Sequence, residues 1–535
     1  MDNQSVRIVL LETNSESIPV IKDFYTRLFS EFSYSVSFKE ISRSPKNYDG
    51  NKSIFRNEVV DLFITDLSLG SDSKENYDGL DIVKQIKTNY PDLLVIATSA
   101  KNVNYLDTAD RTPSFDLFVH KRKMVDDDYY RYIKSRLIKI FRKNVFLTVD
   151  YENSNLIPKY EQPPKRVELE NILRSMTFAS IYSSDRTSVR RAVLKKIEGG
   201  MSKSEVYRLI GYTINDLRAV DVIVKLSAKG DAQKEINNYF QYVKWYLPYR
   251  WRPEVLSTAF WNNTGGICYS NAYNDEMHTE SLTHYIKLKD IDNLNKVIRS
   301  IFNPKYRTWY HPSNVKSKDN ITKYYHKKWM SGRTRPDSQI QSILSGFAGN
   351  RIQQVPNNNY YVIDGEKFPD PGVFLGNPRG EFMTCICHGD MSSNNILISE
   401  DEITFIDFQD TGIGHIFEDF ISIELSLRLY FKTDMDFFDL LNYEKSLIGP
   451  TLMSENASAI DPEFQLSEPV KSIRKAAFDN FFPSQEFKKN QITNYLYGLA
   501  MSTYGMLRKE KLTDWQKHQL LAVTLAATWH LSNYK

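Results

Sequence analysis

Two hydrophobic regimes alternate over the first 145 residues of this chain. Unbroken apolar runs, RIVLL (7–11), VVDLFITDL (59–67), LLVIATSA (93–100) and FDLFVHK (115–121), predict buried strands. Between them IPVIKDFYTRLFSEF (18–32), GLDIVKQIKTNY (79–90) and DDDYYRYIKSRLIKIFRKN (126–144) repeat apolar residues at helical spacing. Buried strands separated by helices predict a doubly wound α/β domain, a parallel sheet covered on both faces. In such sheets function collects at the carboxyl ends of the strands, where Glu12, Asp66, Ser99 and Lys121 all fall.

The pattern then breaks. Residues 146–166 hold Pro158, Pro163 and Pro164 among polar residues and predict an extended linker. VELENILRSMTFASIY (167–182) is helical and could pack on either neighbour. Next, RRAVLKKIEGGMSKSEVYRLIGYTINDLRAVDVIVKLSAK (190–229) reads as strand, Gly-Gly turn, strand, turn, strand. Glycines at 199 and 200 let backbone amides approach phosphates closely, with Ser202 beside them, although a plain turn looks the same. Lys225 sits inside the apolar strand VIVKL, where an unpaired ammonium is costly, and the helix DAQKEINNYFQYVKWYL (231–247) offers Glu235 as its partner. EVLSTAFWNNTGGICYSNAY adds two strands, with a hinge expected near 269–272.

Farther on, SLTHYIKLKDIDNLNKVIRSIF (281–302) reads as one amphipathic helix, and 305–335 is basic with interleaved aromatics. From Thr384 to Phe420 the pattern is strand, loop, strand, hairpin, strand, loop, helix, which brings Asp390, Asn395 and Asp407 to strand ends. Two carboxylates and an amide are hard oxygen donors suited to magnesium carrying a nucleotide. After Phe420 broad apolar stripes predict helices to the end.

Composition narrows the class little. At 41% apolar and 25% charged residues, with a net charge of +3, the chain is ordinary globular protein and not by charge a nucleic-acid binder. No apolar run reaches the length of a membrane span, and the first residues are not a signal peptide. Three cysteines give no disulfide framework and fit the cytoplasm.

HGDMSSNN (388–395), IDF (406–408), Gly414 and Asp419 together resemble the catalytic segment of aminoglycoside phosphotransferases and the related choline and small-molecule kinases. The resemblance implies a bilobal protein-kinase-like α+β fold, with an N-lobe over 167–272 and a helical C-lobe over 273–535 carrying an insertion at about 280–380. It implies ATP and magnesium, Asp390 as the base for an acceptor hydroxyl, and Asn395 and Asp407 as magnesium ligands. Lys225, aligned by Glu235, and the Gly199, Gly200 and Ser202 turn would hold the phosphates.

Residues 1–145 are similar to the receiver domain of bacterial response regulators. Asp66 takes the phosphoacceptor place, Ser99 the hydroxyl place and Lys121 the lysine place, with Gly79 following a long loop. Receivers end their first strand with two adjacent acids, whereas this one has Glu12-Thr13. Magnesium at Glu12 and Asp66 should therefore be weak and phosphorylation slow. A histidine kinase or another signalling partner is what the receiver resemblance implies.

The expected function is thus transfer of the ATP γ-phosphoryl group to a hydroxyl, regulated by or docked through the receiver. The alternative is a nucleotide-binding pseudokinase scaffold in a two-component-type assembly. Lys305, Arg307, Lys316, Lys318, Lys323, Lys327, Lys328, Arg333 and Arg335 are opposed locally only by Asp319 and favour an anionic acceptor. Trp309, Tyr310, Tyr324, Tyr325 and Trp329 are expected to stack on a flat ring. A nucleic-acid partner rests on that stretch alone.

Overall fold

The computed structural model describes residues 4–32, 34–41, 54–68, 78–100, 115–141, 148–151, 165–176, 189, 191–197, 204–213, 215–272, 279–302, 309–310, 316–318, 320–332, 335–347, 351–355, 359–399, 402–449, 466–481 and 485–533. They fall into two compact units, residues 1–236 with 254–272 and residues 237–253 with 273–535.

In the first unit, β1 (Gln4–Leu11), β2 (Tyr34–Ile41), β3 (Leu62–Asp66), β4 (Leu94–Ser99) and β5 (Leu117–His120) form a parallel sheet in the order β2-β1-β3-β4-β5. Helices α1 (Ser17–Ser30), α2 (Asp78–Asn89) and α3 (Asp127–Ile140) accompany it. Residues alternate between the two faces of β1. Val6, Ile8 and Leu10 join a core with Phe24 and Leu28 of α1 and Ile133 and Leu137 of α3, while Val9 and Leu11 join an opposite core with Val83 and Ile86 of α2. Strand β2 was not legible as an apolar run, because its apolar residues alternate with serines and a lysine at the sheet edge.

The second of those cores does not stop at the sheet. Leu169, Ile172 and Leu173 of helix α4 (Lys165–Ser175) belong to it, and so do Val224, Ala259, Trp261 and Cys268 of the next sheet. That sheet has six strands: β6 (Thr148–Tyr151), β7 (Arg191–Ile197), β8 (Glu205–Tyr212), β9 (Arg218–Ala228), β10 (Val255–Trp261) and β11 (Thr264–Ser270). Their order is β10-β11-β9-β8-β7-β6, with only β6 and β7 parallel, and helix α5 (Lys229–Asn238) follows β9.

One expectation changes here, and one left open is filled in. Residues 148–151, placed in the linker by their prolines downstream, pair along β7 as an edge strand. And α4 fills the space between the two sheets. Arg174 forms a buried ion pair with Asp61, Val60 N–H donates to Asn171 Oδ1 (2.9 Å), Trp261 Nε1–H to Phe55 O (3.0 Å) and Asn262 N–H to Asn89 O (2.7 Å). The receiver-like sheet and the six-stranded sheet therefore share one interior.

In the second unit, β12 (Thr279–Ser281) leads into α6 (Leu282–Leu288) and α7 (Ile291–Ile301). The single helix expected there is broken at Lys289, φ +56°, and restarted by Asp290, whose side chain accepts from Asn293 N–H (3.2 Å). Next come β13 (Lys316–Lys318), α8 (Ile321–Trp329), α9 (Asp337–Ser345), a sheet of β14 (Ile352–Val355), β15 (Tyr360–Ile363) and β16 (Glu366–Pro369), and the short α10 (Pro371–Phe374). Strands β17 (Phe382–Cys387), β18 (Ile396–Ser399), β19 (Glu402–Phe405) and β20 (Gly412–His415) follow. They make two small sheets, β13-β17-β20 and β12-β18-β19. Helices α11 (Glu418–Tyr430), α12 (Phe437–Ile448), α13 (Ser467–Phe481), α14 (Gln485–Met506) and α15 (Asp514–Asn533) form the bulk. Among the described residues no helix is long and apolar enough to cross a membrane.

Candidate active site

The loop between β17 and β18 is built around one buried carboxylate. Asp419, in the first turn of α11, accepts from His388 N–H (2.8 Å), Gly389 N–H (3.0 Å) and the Tyr310 hydroxyl (2.8 Å). Three donors on a group with no exposure satisfy it fully. His388 is equally buried; its Nε2 lies 3.0 Å from Ile406 O, and its ring packs against Phe408. Gly389 has φ +81°, and a Cβ there would lie 2.2 Å from Asp410 O, so only glycine fits.

Asp390 follows directly on this fixed loop, reached by solvent yet crowded on its other sides by protein. Crowding by surrounding protein, and then the Asp407 carboxylate, push its pKa above the ordinary carboxylate value. Asn395 Nδ2–H donates to Asp390 O (2.8 Å) and Oδ2 (3.2 Å), which turns its amide oxygen away from that carboxylate. Its neighbour has a different task. Asn394 bonds Thr283 and Tyr430, and Ser393 N–H bonds Ser426 Oγ, so α6 and α11 pin the turn from behind. Asp407 follows β19 in the left-handed region, φ +66°, and Ile406 N–H bonds Asn395 O (3.0 Å). A carboxylate and an amide oxygen are a donor set too small to hold a bare ion tightly. They fit magnesium that arrives with most of its shell filled by phosphate and water. Among the described residues no group of three or more His, Cys, Asp or Glu is disposed to hold a metal.

In the first unit Lys225 lies on β9 between β8 and β11, and its Nζ is 2.7 Å from Glu235 Oε2. Glu235 has no exposure, and the Tyr269 hydroxyl donates to its Oε1 (2.7 Å). The strand cation thus has the helix partner that its burial requires. Gly199, Gly200 and Ser202 lie outside the described residues.

The receiver-like residues also meet. Lys121 Nζ lies 2.5 Å from Glu12 Oε2 and 2.7 Å from Asp66 Oδ2, and Ser99 is buried at the adjacent strand end. Gly79 is required, since a Cβ would lie 2.2 Å from Asp66 O. Thr13, where a second acid would stand, is exposed. A magnesium ion would compete with Lys121 for both carboxylates.

The basic stretch is corrected most. Trp309, Tyr310 and Tyr325 are buried and cannot stack on a ligand: Trp309 donates to Tyr242 O (2.7 Å), and Tyr325 lies 2.8 Å from His415 Nδ1. Tyr324 bonds Glu418. Lys328 turns inward to Gly389 O (2.6 Å) and Glu418, whereas Lys323, Lys327 and Arg335 are exposed. Lys305, Arg307, Asp319 and Arg333 lie outside the described residues, as do the side chains of Lys316 and Lys318. The sequence reading missed Lys328, Tyr310 and Glu418 as parts of the loop. The four-residue spacing of Tyr324 and Lys328 on one helix face was the available signal, and both reach Glu418.

A family model described as Ternary complex associated domain 9 matches residues 334–473, from just before α9 through the loop into α13. A comparison with curated proteins found no match. Among solved structures, choline kinase from Cryptosporidium parvum is similar at 13% identity over 64% of this chain and 90% of that one, with a TM-score of 0.30. An amicoumacin kinase in complex with AMP-PNP, Ca2+ and Ami is similar at 10% identity over 63% and 88%, with a TM-score of 0.28. The RcsB response regulator of Salmonella typhimurium is similar at 17% identity over 25% of this chain, with a TM-score of 0.20, and the match spans 61% of that regulator's length. Likenesses this slight add no weight to the geometry.

Proposed function

We propose that the chain is an ATP-dependent phosphotransferase that moves the γ-phosphoryl group to an acceptor hydroxyl. One observation carries the reading: Asp390 is presented beside Asn395 and near Asp407 by a loop whose backbone is held by the buried Asp419. Phosphoryl transfer asks a protein chiefly for positioning and charge neutralisation, and this loop is built for position. Asp390 would orient the acceptor hydroxyl and take its proton. Asn395 and Asp407 would hold magnesium, which supplies charge neutralisation when bound. Lys225, kept in place by Glu235 and Tyr269, would contact the nucleotide phosphates.

An anionic acceptor remains part of the reading through the exposed Lys323, Lys327 and Arg335. The receiver-like half would serve as a dock or regulator, supported by the core it shares with the six-stranded sheet. The scaffold alternative is favoured by one observation, the Lys121 bridge across Glu12 and Asp66.

The test is ATP turnover with magnesium, reading hydrolysis, autophosphorylation and transfer separately. Asp390→Asn should keep ATP binding and lose roughly a hundredfold in turnover. Asp407→Ala should abolish metal-dependent binding. Equal turnover by Asp390→Asn and the parent would reject the catalytic role and leave the scaffold.

A further inference from the structure

We propose that Lys328 is a positioning residue for phosphoryl transfer: from helix α8 it clamps the carbonyl side of Gly389 and so fixes the direction in which Asp390 is presented. The inference rests on the reading of Asp390 as the base.

Glycine at 389 is the pivot. At φ +81° it occupies a region that glycine enters and leaves freely, so its two torsions would let the following residue swing. Both of its backbone groups are held. Asp419 takes Gly389 N–H (3.0 Å), and Lys328 Nζ–H donates to Gly389 O (2.6 Å). The two clamps share an origin, because Lys328 is ion-paired with Glu418, the residue before Asp419 in the first turn of α11. One helix end thus grips the glycine directly on its amide side and through a lysine on its carbonyl side. The lysine is mostly sheltered, with 28% of its side chain exposed against 6% for Glu418. Burial lowers its pKa, while Asp390, Asp410 and Asp419 oppose that change. The amine thus lies among carboxylates, paired with Glu418, beside the point where a phosphoryl group would add further negative charge.

Helix α8 does not depend on Lys328 for its attachment. Tyr324 bonds Glu418 and Tyr325 contacts His415, so removal of the amine should leave the helix seated. The loss would fall on the Gly389–Asp390 peptide. Small misplacements of a reacting group cost rate rather than substrate binding.

Full-length parent, Lys328→Met and Lys328→Arg would be compared with ATP, magnesium and water as the acceptor, alongside thermal melts. Lys328→Met should lower kcat by roughly tenfold to a hundredfold, with KM for ATP and melting temperature little changed. Lys328→Arg should recover a substantial part, because it keeps a charged donor. A kcat for Lys328→Met within about twofold of the parent, or a loss that tracks the melting temperature and is not rescued by arginine, overturns the clamp. Hydrogen exchange gives a reading that needs no turnover. Amides of 389–395 should exchange faster in Lys328→Met while those of β17 stay as they were, and unchanged exchange refutes the proposal. If Asp390→Asn turns over like the parent, the reading of Asp390 fails. If Asp390→Asn collapses and Lys328→Met does not, only the clamp fails.

Discussion

Removing the Arg174 guanidinium should loosen the receiver-like sheet and the six-stranded sheet together. Arg174 is 1% exposed and Asp61 0%, and Arg174 Nε–H donates to Asp61 Oδ1 at 2.7 Å. Breaking a buried pair by deleting one partner costs about 3–5 kcal/mol, since the other charge is left without compensation. Here the lower end applies, because Asp61 Oδ2 keeps the Arg7 N–H (2.9 Å). Arg174→Met should therefore cost about 3 kcal/mol, which by the tenfold-per-1.4 kcal/mol rule is a factor of roughly 100 in the opening equilibrium. Asp61→Asn with Arg174→Met removes the stranded charge and should recover about half of that. Hydrogen exchange on the full chain measures it, peptide by peptide. Amides of β3 on one side of α4 and of β11 on the other should accelerate by similar factors. Acceleration confined to β3, with β11 unmoved, would show that the sheets open separately and would refute the shared interior.

Two further outcomes follow from the same geometry. Thr13→Asp restores the second acid beside Glu12 and should raise phosphate incorporation at Asp66 from acetyl phosphate; a parent that labels as fast as this variant contradicts the weak-site reading. His415, buried and pushed down to about 3, makes stability acid-sensitive: the unfolded residue binds a proton near pH 6.5, so its contribution is complete above about 6.5 and is lost at ~1.4 kcal/mol per pH unit as pH falls toward about 3. His415→Phe should flatten that limb in melts from about pH 4 to about pH 7, and equal slopes for parent and variant reject it.

The features legible in the sequence were those whose cause is local. Strands β1, β3 and β4 are continuous apolar runs because both faces of a parallel sheet are covered, and such runs need no tertiary information. The placing of Asp390, Asn395 and Asp407 beside strand ends was legible from the strand–loop pattern, whereas the roles expected of them came from the resemblance of HGDMSSNN and IDF. Glu235 could be picked because a lysine inside an apolar strand demands a partner, and the next helix had to supply it. What escaped depends on contacts far apart in sequence. Nothing local distinguishes Arg174 from a surface arginine on an amphipathic helix; its partner lies 113 residues away. Nor does the basic composition around Lys328 show that this one side chain turns inward, since Glu418 is 90 residues distant. The aromatics of 309–325 misled for the same reason: aromatic rings serve a core as readily as a ligand, and Tyr310 is used to satisfy Asp419.

The shared interior also bears on what a receiver-like half could do here. An ordinary switch needs an element that moves when the acid at the strand end is modified, and that element must have room to move. In this unit α2 starts against Asp66, where Gly79 admits no Cβ, and ends at Asn89, whose carbonyl accepts Asn262 N–H. The same stretch sets Tyr90 against Trp261, with ring centroids 4.7 Å apart. A change at Asp66 that shifted α2 would therefore be felt at the β10–β11 hairpin through direct contacts. Lys121 already pairs with Asp66 at the start of that path. The Glu12-Thr13 pair and the packed seam thus bear on each other: with α2 held at Asp66 on one end and at the β10–β11 hairpin on the other, a helix shift at the strand end would have to carry the neighbouring sheet with it.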